Sequence, residues 1–266
     1  MSDSHLLVEV QDGIATLTLN RPEALNALSA PMMEGLIEST ARFERDASVR
    51  CVVLRGAGEG FMAGGDVKSF QRALVADRAA YVAGTEERVI RAHQLVYQLR
   101  RMQKPVLASI HGAAAGIGLS FALACDLAIA SDDAFFTLAY RHVGLPADGG
   151  STYFLPRIVG ERKALELALL GDRFGAAKAL ELGLVNWVVP RAQLADETAK
   201  LARRLADGPT VALGIVKRLI RASHDSSWDE QSHREAEGFA AAAATDDHLE
   251  GTTAFVEKRR PVFRGR

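Results

Sequence analysis

The chain has 266 residues, with 32 Lys and Arg against 33 Asp and Glu, a formal charge of −1. That balance argues against a nucleic-acid protein, which would carry a basic excess or stripe. With 48% hydrophobic residues the chain can fill a sizeable core, arranged as one or two domains.

Cys51 and Cys125 each lie inside an apolar run, so a disulfide framework and a four-ligand zinc site are both out of reach. They read as small core residues in a reducing compartment. Residues 1–11 carry Asp3, His5 and Glu9 with no Lys- or Arg-led apolar stretch. No window approaches the roughly 18 apolar residues of a membrane span. The expectation is a soluble, cytoplasmic protein with no membrane or nucleic-acid partner.

In chain order, Leu6, Val8 and Val10, then Asp12-Gly13, then Ala15, Leu17 and Leu19 alternate with polar residues as a β-hairpin does. Ser29 precedes a run with Met33, Leu36, Ile37, Thr40 and Phe43 at helical spacing, which predicts a Ser-capped amphipathic helix. Cys51–Leu54, Val106–Ile110 and Leu127–Ala130 are short apolar runs, the first two ending in Gly-rich loops, as expected of strands covered on both faces. A helix is predicted from Thr85 to Met102, with His93 on an inward stripe beside Val89, Val96 and Tyr97. The path of Val67 to Ala83 does not follow from the pattern.

From about residue 160 the pattern turns helical, over Ala164–Leu170, Ala176–Leu182, Gln193–Ala206, Val211–Ala222 and Asp247–Lys258, interrupted by a strand candidate at Val185–Val189. We divide the chain into an α/β core over residues 1–200 and a helical region over 201–266.

Two Gly-rich loops follow buried strands, Gly56-Ala-Gly-Glu-Gly-Phe-Met-Ala-Gly-Gly65-Asp66 and His111-Gly-Ala-Ala-Ala-Gly116-Ile117-Gly118. Glycines make turns, and they also let backbone approach a ligand, so two such loops could aim two N–H donors at one oxygen. Neither fits a phosphate-binding lysine motif or a dinucleotide fingerprint. His224, His233 and His248 lack metal-ligand spacing, so no metal is expected.

Asn20-Arg-Pro-Glu-Ala-Leu-Asn-Ala-Leu28, Phe61-Met-Ala-Gly-Gly-Asp66, Lys104 to Ser120, Ala124-Cys-Asp126, Gly149-Gly-Ser-Thr152, Leu155-Pro-Arg157 and Ala254-Phe-Val-Glu-Lys258 together resemble the enoyl-CoA hydratase/isomerase (crotonase) superfamily. The resemblance implies a spiral of ββα units with a C-terminal helical trimerisation region, assembling as a homotrimer or hexamer. It implies an acyl-CoA thioester as substrate, with coenzyme A part of that substrate and no separate cofactor. It also implies that the backbone N–H groups of Gly65 and Ile117 grip the thioester carbonyl, a form of oxyanion stabilisation worth on the order of 3 kcal/mol per donor. Glu23, Ala24 and Leu25, with Ala63, Asp66, Val67 and Tyr140, would line the CoA and acyl site. Phe255 and Lys258 would cover it from the tail, on the same or a neighbouring subunit.

Hydration in the family uses two glutamates, whose positions fall here on Ser120 and Tyr140. Neither can supply the carboxylate base that water addition needs, which argues against ordinary hydratase action. Asp148 stands where some relatives carry their working acid: a proton shuttle in isomerases, a nucleophile in 4-chlorobenzoyl-CoA dehalogenases. It reads equally as an N-cap for a helix starting near Thr152. His93 lies twelve residues before Pro105, as the water-activating histidine of the dehalogenases does, yet a histidine on an apolar stripe also fits a plain core residue. The isomerase ranks first, with His93 assisting Asp148; the alternatives are a dehalogenase or hydrolytic member, and a hydratase-like or non-catalytic acyl-CoA binder. His111 is assigned to shaping its loop, and Arg141-His142, Arg100-Arg101 with Lys104, and Lys258-Arg-Arg260 to solvated surface.

Overall fold

The computed structural model describes residues 4–266. Asp3, in the stretch read for a targeting signal, lies outside them. The elements in chain order are β1 (Leu6–Gln11), β2 (Ile14–Leu19), α1 (Ala30–Arg45), β3 (Cys51–Gly56), α2 (Val67–Ala76), α3 (Arg78–Ala83), α4 (Thr85–Arg101), β4 (Val106–Ile110), β5 (Ala113–Ala115), α5 (Ile117–Ala124), β6 (Leu127–Ser131) and β7 (Phe135–Thr137). There follow α6 (Ser151–Val159), α7 (Glu161–Leu170), β8 (Phe174–Gly175), α8 (Ala176–Glu181), β9 (Trp187–Val189), α9 (Leu194–Ala206), α10 (Thr210–Ser223), α11 (Trp228–Ala243) and α12 (Asp246–Val256).

A main sheet runs β1-β2-β3-β4-β6-β9, parallel except for the β1–β2 hairpin, and a small sheet runs β5-β7-β8. Successive turns of chain give one strand to the main sheet, the next to the small sheet, and then a helix: β4, β5, α5, and after them β6, β7, α6. The first turn does the same with a single residue, since Met62 bridges to Ala114. This α/β spiral with a helical C-terminal region is the architecture expected.

Strand alternation sends Ala15, Leu17, Leu19, Val52, Leu54, Val106 and Ala108 to one face, in the main core with α1, α4 and α5. Cys51, Val53, Leu107 and Ile129 face the other way, against Leu194, Ala202 and Ala206 of α9. Val8 and Val10 of the edge strand β1 remain 36% and 47% exposed. Helix α1 forms as predicted: the Ser29 side chain accepts from the Met32 amide, and Met33, Leu36, Ile37, Thr40 and Phe43 are buried. Both cysteines are buried and free, and burial pushes their thiols up to about 12.

Four expectations need correction. The buried stripe of α4 is Ala92, Leu95, Val96 and Leu99, whereas His93 is exposed and Tyr97 is 63% exposed. The two candidate stripes share Val96, and packing against the core selects the purely aliphatic one. Lys104 is not solvated: it is buried, its ammonium donating to the Phe43 and Asp46 carbonyls at the end of α1. Residue 200 falls inside the continuous helix α9, and the break in helical structure comes at Asp207–Pro209. Helix α11, absent from the predicted set, starts on a capping box formed by Ser227 and Glu230.

The C-terminal helices are locked to the α/β core through one carboxylate. Asp126, its side chain 16% exposed, accepts from the Val106 amide at 2.8 Å and pairs with Lys217 at 2.7 Å and with Arg221, both on α10. Lys217 also donates to the Leu99 and Lys104 carbonyls at 2.8 and 3.1 Å. Removing the anion would strand two buried cations, which costs about 3–5 kcal/mol. Asp126→Ala is therefore expected to lower the melting temperature by on the order of 10 °C in calorimetry, and Asp126→Asn by less, because an amide still accepts from Lys217.

Candidate active site

The two Gly-rich loops are stitched together before either reaches its helix. The Phe61 amide donates to the His111 carbonyl at 2.8 Å, Met62 donates to Ala113 at 2.8 Å, and Ala115 donates back to Met62 at 2.9 Å. Just beyond, Gly64 (φ +107°) and Gly116 (φ +52°) touch backbone to backbone: a Cβ on Gly116 would stand 3.6 Å from the Gly64 Cα, and one on Gly64 3.3 Å from the Ala115 carbonyl oxygen. One residue further along each loop lie Gly65 and Ile117. Among the described residues neither amide has an acceptor. Ile117 also opens α5, where the first-turn N–H groups are unpaired and the helix dipole favours negative charge.

The segment proposed for CoA is fastened to the same loop, since Ala63 donates to the Leu25 carbonyl at 2.9 Å and Leu28 to Gly64 at 2.8 Å. Its turn is held by Asn26, fully buried, which bonds the Ala57 and Gly60 carbonyls at 2.8 and 2.7 Å and accepts from the Arg21 amide. Arg21 in turn pairs with Asp66 at 3.1 Å, and Asp66 caps α2 through the Ser69 amide. Asp66 and Val67 are thus the start of a helix beside the Gly65 amide. Glu23 and Leu25 are exposed and Ala24 half-buried.

Asp148 brings the acid to this place. The Tyr140 hydroxyl donates to one carboxylate oxygen at 2.6 Å, and the Ser120 hydroxyl donates to the Asp148 backbone carbonyl at 2.9 Å. Ser120 and Tyr140 therefore converge on Asp148. Burial, and after it the charge of Asp148, push the Tyr140 phenol far above its ordinary value, so it remains a neutral donor. The next residue, Gly149 (φ +61°), packs so tightly that a Cβ would meet the Ser120 Cβ at 2.7 Å and the Ile117 side chain at 3.2 Å. Asp148 and Ile117 are thereby held on neighbouring backbone.

The capping alternative for Asp148 does not hold. Helix α6 is capped by Gly150 with no side-chain bond, and it is the Asp148 carbonyl that accepts from the Ser151 amide and hydroxyl. His93 is on the exposed side of α4 and has no hydrogen-bond partner among the described residues. Phe255 is 85% exposed and Lys258 is exposed at the far end of the chain. Sequence reasoning missed Arg21, Asn26 and Phe70, whose ring would lie 2.8 Å from a Cβ on Gly65. The signal for Asn26 was a polar residue between Leu25 and Ala27 in a turn-forming segment; Phe70 gave none. No cluster of His, Cys, Asp and Glu able to hold a metal occurs among the described residues.

Residues 9–266 match the family described as Enoyl-CoA hydratase/isomerase. The chain is 39% identical over 261 residues to the 1,2-epoxyphenylacetyl-CoA isomerase of Escherichia coli, with 98% of each chain covered. It is 35% identical to the 4-chlorobenzoyl coenzyme A dehalogenase-2 of an Arthrobacter species, covering 97% of this chain and 92% of that one. The solved structure of an enoyl-CoA hydratase from Bacillus anthracis matches with a TM-score of 0.91 at 30% identity, covering 98% and 100% of the two chains. The chain belongs to the enoyl-CoA hydratase/isomerase family of the crotonase superfamily, which processes acyl-CoA thioesters. No helix among the described residues is long and apolar enough to cross a membrane.

His111 joins the two loops from behind. It is 7% exposed, and its Nε2 lies 3.0 Å from the Gly58 carbonyl, which can only accept, so that nitrogen carries the proton. Burial, and then the charge of Arg191, hold the imidazole below its ordinary 6.5. A group whose pKa is lower folded than unfolded stabilises the fold fully above the unfolded value, and the contribution is lost as pH falls through the folded one. The melting temperature should decline on acidification below about pH 6.5. His111→Asn, which keeps a donor for Gly58, should flatten that decline when melting is followed between about pH 7.5 and 5.

Proposed function

We propose that this chain is an acyl-CoA isomerase in which Asp148 moves a proton along the acyl chain. The observation that carries the reading is the Tyr140–Asp148 hydrogen bond of 2.6 Å, with Ser120 clamping the same residue's carbonyl. Where a hydratase needs two carboxylates to hold and activate water, this site offers two hydroxyls bonded to one acid. Tyr140 occupies one oxygen of Asp148, leaving the other to approach substrate.

The thioester carbonyl oxygen would sit between the amides of Gly65 and Ile117. Asp148 takes a proton from the carbon next to that carbonyl in a β,γ-enoyl chain. The C–H electron pair forms a double bond to the carbonyl carbon while the carbonyl π pair moves onto the oxygen, where the two amides receive the charge. When the carbonyl re-forms, the enolate pair becomes the α,β double bond and the old β,γ pair takes up the proton. The same carboxyl returns its proton to the γ carbon as the carbonyl re-forms. No water enters and no atom is lost. Phe70 and the helix beginning at Val67 flank Gly65, and the acyl chain would run along them.

A second reading keeps the pose and makes the free Asp148 oxygen a nucleophile on a haloaryl thioester, with His93 activating water. The likeness to the Arthrobacter dehalogenase favours it, while the exposed, unbonded His93 argues for the proton shuttle. In either reading coenzyme A arrives with the substrate. The exposed apolar side chains Phe239, Leu249, Phe255 and Val256 in the C-terminal helices support assembly into a homotrimer or hexamer, with Phe255 and Lys258 reaching a neighbour's CoA. The free buried thiols fit a cytoplasmic enzyme.

The test is mass spectrometry of β,γ-enoyl, α,β-enoyl and chlorobenzoyl thioesters incubated with the protein in heavy water. Deuterium should enter an enoyl chain in those turnovers in which the protonated carboxyl exchanges with solvent before returning its proton, with no mass gain from water. Asp148→Asn should abolish this, losing at least about a thousandfold in kcat while thioester affinity stays within about threefold. Equal loss of binding and rate would make Asp148 structural, chlorine replaced by oxygen would establish the second reading, and net hydration would overturn both. Tyr140→Phe should lower kcat about tenfold with KM little changed, because it frees a carboxylate that it positions without removing the base.

A further inference from the structure

The face of the main sheet turned away from the acyl site is only partly covered. Helix α9 seals Cys51, Val53, Leu107 and Ile129, and stops short of Thr16, Thr18 and Arg55. Between α9 and these residues runs a groove with a volume of about 710 Å³, within the range of small-molecule sites. Arg55 is its anomaly. It stands on β3, a central strand flanked by β2 and β4, where parallel strands ordinarily carry apolar residues covered on both sides.

Arg55 is held ready and left unpaired. Its Nε donates to the Thr18 hydroxyl at 2.9 Å, which fixes the plane of the guanidinium, while its two terminal nitrogens have no acceptor among the described residues. The other cations on the rim are engaged: Arg191 with Asp133 at 3.5 Å and the Gly58 carbonyl at 3.3 Å, Arg203 with Asp207 at 2.7 Å and the Asp12 carbonyl at 2.6 Å. Glu9 and Asp12 also line the groove, and neither pairs with Arg55. The walls beside it, Val53, Ala195 and Ala199, are apolar and small.

A fixed guanidinium fork with two free donors matches the two oxygens of a carboxylate or phosphate, and apolar walls match a short carbon skeleton. We propose that this groove is a second ligand site, separate from the thioester site, for a small organic anion that places its carboxylate or phosphate on Arg55. The proposal is independent of the reaction assigned above. The groove also reaches the active loops, because Arg191 and His111 both bond the Gly58 carbonyl, seven residues before Gly65.

The test is calorimetric titration of the full-length protein with inorganic phosphate and, separately, with succinate, at fixed ionic strength. At least one should bind saturably with a stoichiometry of one per chain, and the tighter of the two tells whether the natural ligand carries phosphate or carboxylate. Arg55→Gln, which keeps a donor for Thr18, should weaken binding at least tenfold, and so should Ala199→Phe, which fills the groove and leaves Arg55 intact. Both variants should retain wild-type melting temperature and acyl-CoA affinity. The proposal is overturned if neither anion saturates, if both variants bind as wild type does, or if an acyl-CoA thioester displaces the anion competitively, which would put it in the thioester site.

Discussion

The acyl site depends on a single backbone exchange, in which Met62 sits between Ala113 and Ala115, donating to one and accepting from the other. Those two bonds join the first turn of the spiral to the second. Together with the Phe61 amide on the His111 carbonyl, they fix the loop that ends at Gly65 against the loop that ends at Ile117. Strand pairing at Met62 is too short to count as a strand, yet it sets the relative position of the two loops' amides. Gly64, Gly116 and the three alanines of β5 allow the backbones to approach, and a Cβ on Gly64 would press to 3.3 Å on the Ala115 carbonyl oxygen. The placement of the Gly65 and Ile117 amides is a consequence of sheet geometry, and their side chains have little part in it.

The acid is positioned by a different device. Gly149 presses against Ser120 and Ile117, so the backbone of Asp148 is referenced to the same helix that supplies an oxyanion donor. Ser120 fixes the carbonyl, Tyr140 fixes the carboxylate, and the two bonds constrain both ends of one residue. A hydrogen bond from a buried neutral phenol keeps its direction at all ordinary pH, because deprotonating it next to a carboxylate would place two anions within 2.6 Å.

Much of this was legible in the sequence. The hairpin, the Ser29-capped helix, the buried strands and the two Gly-rich loops follow from local periodicity and turn chemistry, which neighbouring residues alone determine. Asp148 was visible through its place relative to family motifs. What escaped was whatever depends on a partner distant in the chain. The stripe through His93 and the stripe through Leu95 share Val96 on α4, and only the core decides which is buried. Lys104 reads as surface charge until the end of α1 is brought to it. The convergence of Ser120, Tyr140 and Asp148 joins three segments whose contact no spacing rule contains. Helix α11 had a readable start in Ser227 and Glu230, and was hidden by the polar residues that follow.

The number of carboxylates in the site separates the chemistries open to this fold. Two acids can hold a water molecule between them and activate it, one accepting its proton while the other supplies one to the substrate. One acid flanked by hydroxyls has no second proton acceptor, so a bound water would stay a weak nucleophile, whereas a C–H next to a thioester needs only one base once the oxyanion is stabilised. Under the proposed reaction, hydroxyls at Ser120 and Tyr140 would do two things at once: offer no carboxylate to activate water, and supply the bonds that orient Asp148. In the proposed reaction a proton taken up by Asp148 would have no second carboxylate to pass to, and its shortest route would lead back to the carbon skeleton from which it came, at a different carbon.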